Sequence, residues 1–469
     1  MAGMPLTWRR LTGTDSNSTT GEMKPFCFSS SDLKFLLRAL HSRNYRLFFI
    51  GQGTSLIGTW MQQVAVSWLV YRLTGSALLL GVTGFASQFP TFLMAPVAGV
   101  MVDRWNKQRL FLATQLCAML QSVMLAGFVL TGTIQVWQII LFSTFLGVVN
   151  AFDIPVRQAL VIDLVERKEE LSNAIALNSS MFNAARLIGP SIAGVLVASL
   201  GEGVCFAINA ASYLAVILAI TALRLTPPAK ARARKHILHE LREGFGYAYS
   251  FTPIRSLLIL LALTCLMGMP YVVLLPIFAR EILHGGAHTF GFLVAAVGIG
   301  ALACTLYLAS RRSVLGLDRI IAVSAGLFGV AVACFALSGT FFLSLAFLCL
   351  AGFASMAQIA SSNTILQTVV DNDKRGRVMS FYTMAFMGST PLGGLVAGII
   401  ATRIGARPTL IMGGLACLAG GIVFARHLPE FRRMVRPIYE RLGVIPDAAS
   451  SAGAEQAPDS NSNSKRSLR

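Results

Sequence analysis

Acidic side chains are scarce in this chain of 469 residues. Asp and Glu together number 21, and all charged residues make up only 13% of the sequence. A soluble domain carries about a quarter, so the deficit excludes a solvated globule. Histidine is nearly as rare. All six (His41, His236, His239, His284, His288 and His427) lie away from the centres of the apolar runs, so a membrane-embedded enzyme would lack a convergent base or set of metal ligands. The eight cysteines stand singly, at Cys27, Cys117, Cys205, Cys265, Cys304, Cys334, Cys349 and Cys417. No two have the spacing of a metal site or disulfide framework, and they read as small apolar residues. No metal and no cofactor is expected. Residues 1–28 are polar, rich in Ser and Thr, and lack the apolar core of a cleavable leader, so the N-terminus is expected to stay cytosolic.

What the chain has instead is apolar length: 55% of its residues are hydrophobic and the mean hydropathy is +0.65. A membrane span needs about 20 such residues. Twelve runs qualify, at 46–72, 76–102, 109–131, 135–153, 174–200, 203–223, 255–280, 288–310, 319–338, 341–367, 376–402 and 407–427. With twelve spans the basic clusters fall on one side: Lys107 and Arg109; Arg157, Arg167 and Lys168; Arg224 to Arg242; Arg311, Arg312 and Arg319; Lys374, Arg375 and Arg377. The positive-inside rule makes that side the cytoplasm and puts both termini there. The formal charge of +18 is therefore mainly topological. It is not gathered on one soluble face as nucleic-acid binding would require.

The reading is an all-α membrane protein with twelve transmembrane helices in two pseudo-symmetric six-helix halves. A cytosolic arm (1–45), with an amphipathic helix or a flexible stretch over 33–42, precedes the first bundle (46–223). A basic central loop (224–254), with an amphipathic helix expected over 236–249, leads to the second bundle (255–427) and a disordered cytosolic tail (428–469). A weak internal repeat supports duplication. Gly189-Pro190-Ser-Ile-Ala-Gly194 on span 5 has a counterpart in Thr390-Pro391-Leu-Gly-Gly394 on span 11, and Gly189, Pro190, Pro391 and Gly394 are candidate hinge residues.

Between spans 2 and 3 runs Gly99-x-x-x-Asp103-Arg104-x-Asn106-Lys107-x-Arg109. A plain positive-inside hairpin explains Arg104, Lys107 and Arg109, but not Gly99 and Asp103 at this spacing. The string resembles the loop between helices 2 and 3 of major facilitator superfamily transporters, with Asn106 in place of the usual Gly. Asn tolerates positive φ best among the other residues, so the turn is expected to survive. The resemblance implies that Asp103 and Arg104 latch the halves together on the cytoplasmic side. Ala185-x-x-x-Gly189-Pro190-x-x-Ala193-Gly194 resembles the fifth-helix motif of antiporters in the same superfamily and favours export over uptake. The arginine typical of span 4 in drug antiporters is Ser143 here, so proton coupling through it is excluded.

A polar atom facing lipid loses water without compensation, so polar stripes point to a cavity or to another helix. Gln52, Ser55, Thr59 and Gln62 follow one helix face on span 1, as a cavity wall or as interhelical hydrogen-bonding groups. On span 5, Ser179, Asn183, Arg186 and Pro190 do the same. Arg186 lies about 18 Å along its helix from the cytoplasmic start, too deep to snorkel. Either Asp153 or backbone carbonyls compensate it, or it recognises an anionic or catechol-like substrate group. Asp153 and Arg157, four residues apart, can pair at the inner mouth, and Asp153 is also a candidate proton carrier.

Longer strings are similar to the enterobactin-exporter branch of the superfamily: Arg43 to Gln52, Gly58-Thr-Trp60-Met-Gln62, Asn150 to Gln158, and Asn173 to Pro190. That resemblance covers roughly residues 40–428. It implies a cavity lined by spans 1, 4, 7 and 10, which adds Asn150, Gln358, Ser362 and Asn363 to the candidate residues. The expected function is export of a small amphipathic molecule, siderophore-like or drug-like, by proton antiport across the bacterial inner membrane. The expected form is a monomer. Uptake symport, lipid transport and a non-transporting receptor are the alternatives that remain open at this point.

Overall fold

The computed structural model describes residues 38–165, 170–223, 251–311, 313–371 and 374–442, except the side chains of Pro96, Val100, Asp103 and Ser172. These residues form helices and no strand. The first half comprises α1 (Arg43–Thr74), α2 (Ala77–Arg104), α3 (Lys107–Leu130), α4 (Val136–Asp163), α5 (Leu171–Leu200) and α6 (Glu202–Thr221). The second comprises α7 (Thr252–Ile282, with π turns at Thr264–Gly268 and Phe278–Ile282), α8 (Ala287–Ser310), α9 (Leu317–Leu337), α10 (Phe341–Val369), α11 (Arg375–Ile404) and α12 (Ala406–Arg426). A further helix, α13 (Leu428–Arg441), follows.

Eleven of these helices are long and apolar enough to cross a membrane. The remaining long one, α1, has 32 residues, about 48 Å of helix against a hydrocarbon core of about 30 Å. Gln52, Ser55, Gln62 and Gln63 dilute its apolar character, and it packs along α5 and α6 inside the bundle.

Helix starts follow local chemistry. Ser42, Ser76 and Asn106 cap α1, α2 and α3 by accepting bonds from the amides of Tyr45, Leu79 and Arg109. Asn106 has φ −66°, so it stands in for the usual Gly as an N-cap and not through the positive φ expected of it. Gly201 (φ 85°, ψ 168°) and Gly405 (φ 89°, ψ 163°) share a conformation open only to glycine, and they join α5 to α6 and α11 to α12. The two halves therefore repeat a backbone device as well as a helix order.

The helices meet in matching pairs: α2 with α4 and α8 with α10, α3 with α6 and α9 with α12. Between halves, α5 packs on α8 and α11 on α2. Small residues set those seams. A Cβ on Gly81 would lie 2.7 Å from the Gly394 carbonyl, and one on Gly194 2.9 Å from the Gly291 Cα. Both seams lie at the end opposite the basic loops. There one buried apolar cluster draws on both halves, whereas toward the basic end each half keeps a cluster of its own. The halves thus join at the far end and part toward the basic one.

Span 4 runs ten residues beyond its expected end, to Asp163, with Pro155 inside the helix. The tail is the larger correction. Disorder was expected from residue 428, yet α13 buries Phe431, Val435 and Tyr439 against the second half's basic-end cluster, and Arg432 pairs with Asp318 of α9. Its apolar residues recur every fourth position, which buries one face despite the polar composition. The Tyr439 phenol, buried beside Asp318, is pushed up to about 12. The expected amphipathic helix at 236–249 and the first half of the one at 33–42 lie outside the described residues, and Arg38–His41 form a short 3-10 turn.

Candidate functional site

The loop residues do not form one cluster. Lys107 ion-pairs with Asp163 at the end of α4, 2.6 Å away, while Arg104 and Arg109 are exposed. A Cβ on Gly99 would have no atom within 4 Å, as expected where the halves have parted. The side chain of Asp103 lies outside the described residues.

Asp153 is buried on α4, 8% exposed. It accepts hydrogen bonds from Thr114 Oγ1 (3.0 Å) and Gln115 Nε2 (2.6 Å) of α3 and stands 4.0 Å from Arg157 Nε. The pair expected from the spacing is present, and α3 supplies two further donors that spacing within α4 cannot reveal.

The stripe on α1 turns away from any cavity. Gln52 and Gln62 are each 3% exposed and Ser55 is equally buried. Gln62 donates to Gln121 Oε1 (2.9 Å) and accepts from Ser122 Oγ (2.7 Å) and Asn209 Nδ2 (2.7 Å). Half-buried Thr59 donates to the Ser55 carbonyl. Gln62 takes the interhelical one of the two readings of the stripe, whereas the Gln52 Oε1 is buried without a hydrogen-bond partner. Gly51 and Gly58 lie on the same face and admit α6 so closely that a Cβ on Gly58 would strike the Asn209 amide. In the second half Gln358 is likewise withdrawn, giving its Nε2 to Thr264 Oγ1 (2.9 Å) of α7. Ser362 is buried, Asn363 accepts from Gln367, and Asn150 is half-buried.

On α5 the geometry is different. Gly189 lets α5 approach α1, where its Cβ would lie 2.9 Å from the Ile57 carbonyl. Pro190 sits inside the helix and leaves the Arg186 carbonyl without an amide partner. The half-buried Arg186 guanidinium lies 5.7 Å from the Trp60 ring centroid, and Trp60 meets Phe182 edge-on at 5.6 Å. On the basic side of Arg186, Ile175 and Phe182 are 50% and 40% exposed, and on its far side Ile188, Ile192 and Val195 are 42%, 39% and 52% exposed. A Cβ on Gly298 of α8 would lie 3.6 Å from the Arg186 carbonyl, so Arg186 stands at a level where α5 still packs on the other half. Placing an arginine there costs about 2.5–3.5 kcal/mol, and a cation–π contact returns about 0.5–2 kcal/mol. Trp60 offsets only part of the cost. Trp60 itself was legible only as part of a branch motif, because nothing in α1 alone says which helix its ring will face.

A separate groove of about 460 Å³ between α7, α12 and α13 contains none of these residues. At the far end Tyr71 of α1 donates to Glu281 of α7, Arg72 pairs with Glu202 at 2.8 Å, and Trp68 stacks on Phe290 at 6.2 Å. The first and last of these contacts join the two halves at that end, and the Arg72–Glu202 pair ties α1 to α6 within the first half.

The family model for transmembrane secretion effectors matches residues 37–437. The chain belongs to that family of major facilitator transporters. It is 28% identical over 386 residues to the staphyloferrin A transporter of Staphylococcus aureus, covering 81% of this chain and 95% of that protein. To the enterobactin exporter of Citrobacter koseri it is 23% identical over 405 residues, 86% and 95% of the two chains. A crystal structure of a bacterial homologue of the iron transporter ferroportin, in its inward-facing state, superposes with TM-score 0.62 at 18% identity over 82% of this chain and 98% of that one. The secretion-effector transporter is thus a multi-pass membrane protein of the major facilitator fold and not an enzyme.

Proposed function

We propose that this secretion effector exports a small amphipathic molecule, siderophore-like or drug-like, across the bacterial inner membrane, with both termini in the cytoplasm. The halves rock about a site near the midplane, and proton entry drives the cycle. The observation that carries the reading is that contacts between the halves gather at the far end, while toward the basic loops each half keeps a cluster of its own. With the basic side inward, this is the state that would load cargo from the cytoplasm. Relatives named for siderophore and multidrug export support the direction. Asp153, buried yet connected to α3, is the proposed coupling carboxylate, and the protein works as a monomer.

The test uses inside-out vesicles respiring to an acid interior, to which catecholate siderophores and lipophilic drugs are added one at a time. Substrate-triggered alkalinisation that Asp153→Asn abolishes is expected. Labelled substrate accumulating without proton movement would overturn the coupling, and accumulation of substrate by right-side-out vesicles, with none by inside-out ones, would overturn export.

A further inference from the structure

We infer that Arg186 and Trp60 form a recognition site for a single carboxylate, and that the cargo joins that carboxylate to a flat apolar group. The inference rests on the export reading for the word cargo, but its chemistry comes from a count of charges. Among the described side chains, each acidic residue of the spanning helices is already engaged: Asp153 by Arg157, Thr114 and Gln115, Asp163 by Lys107, Glu202 by Arg72, Glu281 by Tyr71, and Asp318 by Arg432. None is left for Arg186. Its guanidinium lies over the face of an indole, which neutralises no charge.

A half-buried cation without a counter-ion favours whatever anion can reach it, and toward the basic side the two halves keep separate apolar clusters. Carboxylate and phosphate both match the guanidinium fork. A singly charged group balances one guanidinium and a phosphomonoester carrying nearly two charges does not, and of the singly charged groups the planar carboxylate matches the planar fork bidentately. Trp60 and Phe182 add a flat apolar wall against which an aryl or similarly planar portion of the cargo stacks.

The experiment measures binding of 2-naphthoate and its neutral isostere 2-naphthamide, at neutral pH, to the full-length protein in lipid nanodiscs. The wild type is expected to bind the acid at least about tenfold more tightly than the amide, as for a charge-assisted pair. Arg186→Gln removes that preference, while Trp60→Leu weakens acid and amide together. Equal binding of the two probes, binding of neither, or a preference that survives Arg186→Gln overturns the inference. If the Gln variant does not fold, Arg186→Lys decides: a reduced preference supports the fork, and an undiminished one overturns it. No gradient is involved, so absence of vesicle export with the preference intact sinks only the export reading.

Discussion

Asn209 shows how much a single amide can hold in place. Its Nδ2 bonds Gln62 Oε1 and lies 3.4 Å from Ser122 Oγ, in the dry region where α1, α3 and α6 meet. Asn209→Ala removes a donor from a buried network and is expected to cost about 1–3 kcal/mol, read as a lower unfolding temperature in detergent with the site's ligand preference unchanged. By contrast Lys107→Ala breaks a partly exposed pair and should cost no more than about 1 kcal/mol. A similar loss in both variants would contradict this ranking. Sequence pattern exposed Arg186 and the Asp153–Arg157 pair because a charge inside an apolar run is conspicuous. Asn209, Gln121 and Ser122 were not legible, since their significance depends on helices distant in sequence converging on Gln62.

At the scale of one element, α13 is the helix that composition concealed. Its polar face carries Arg432, Arg433, Arg436 and Arg441, while Phe431 and Val435 complete the apolar cluster of α7, α9 and α10. Phe431→Ala is expected to destabilise the second half by about 3 kcal/mol, measured by thermal unfolding, and a change below about 0.5 kcal/mol would mean that the helix merely rests on the surface. The α5–α8 seam depends on two glycines facing each other. A Cβ on Gly291 would lie 2.6 Å from the Gly194 Cα, so Gly291→Val should force the far end apart. Spin labels at Leu78 and Val396, on the outer faces of α2 and α11, should then report a longer distance than in the unmodified background. An unchanged distance would show that the seam has room to yield elsewhere.

For the whole molecule, closure at one end and separation at the other make the conformation a balance between two sets of contacts. The far end is held by Tyr71–Glu281, the Trp68–Phe290 stack and the glycine seams. The basic end, by resemblance, closes on the loop carrying Asp103. Asp103→Asn is expected to slow transport while leaving naphthoate binding unchanged, because the substitution weakens only the state in which the basic end is shut. An unchanged transport rate would refute that role. Tyr71→Phe loosens the opposite end, and the label pair at Leu78 and Val396 should then sample the separated form more often.

The sequence by itself determined the class and the apolar, helical character of the spans, because the bilayer imposes length and polarity on each segment independently of its neighbours. It also marked Arg186, whose cost is set by depth alone. Only the tertiary structure decided that Gln62 and Gln358 face other helices, that α13 folds onto the second half, and that Trp60 lies over Arg186. Each of these depends on which face of one helix meets another, and twelve similar apolar spans do not encode that choice within any one of them.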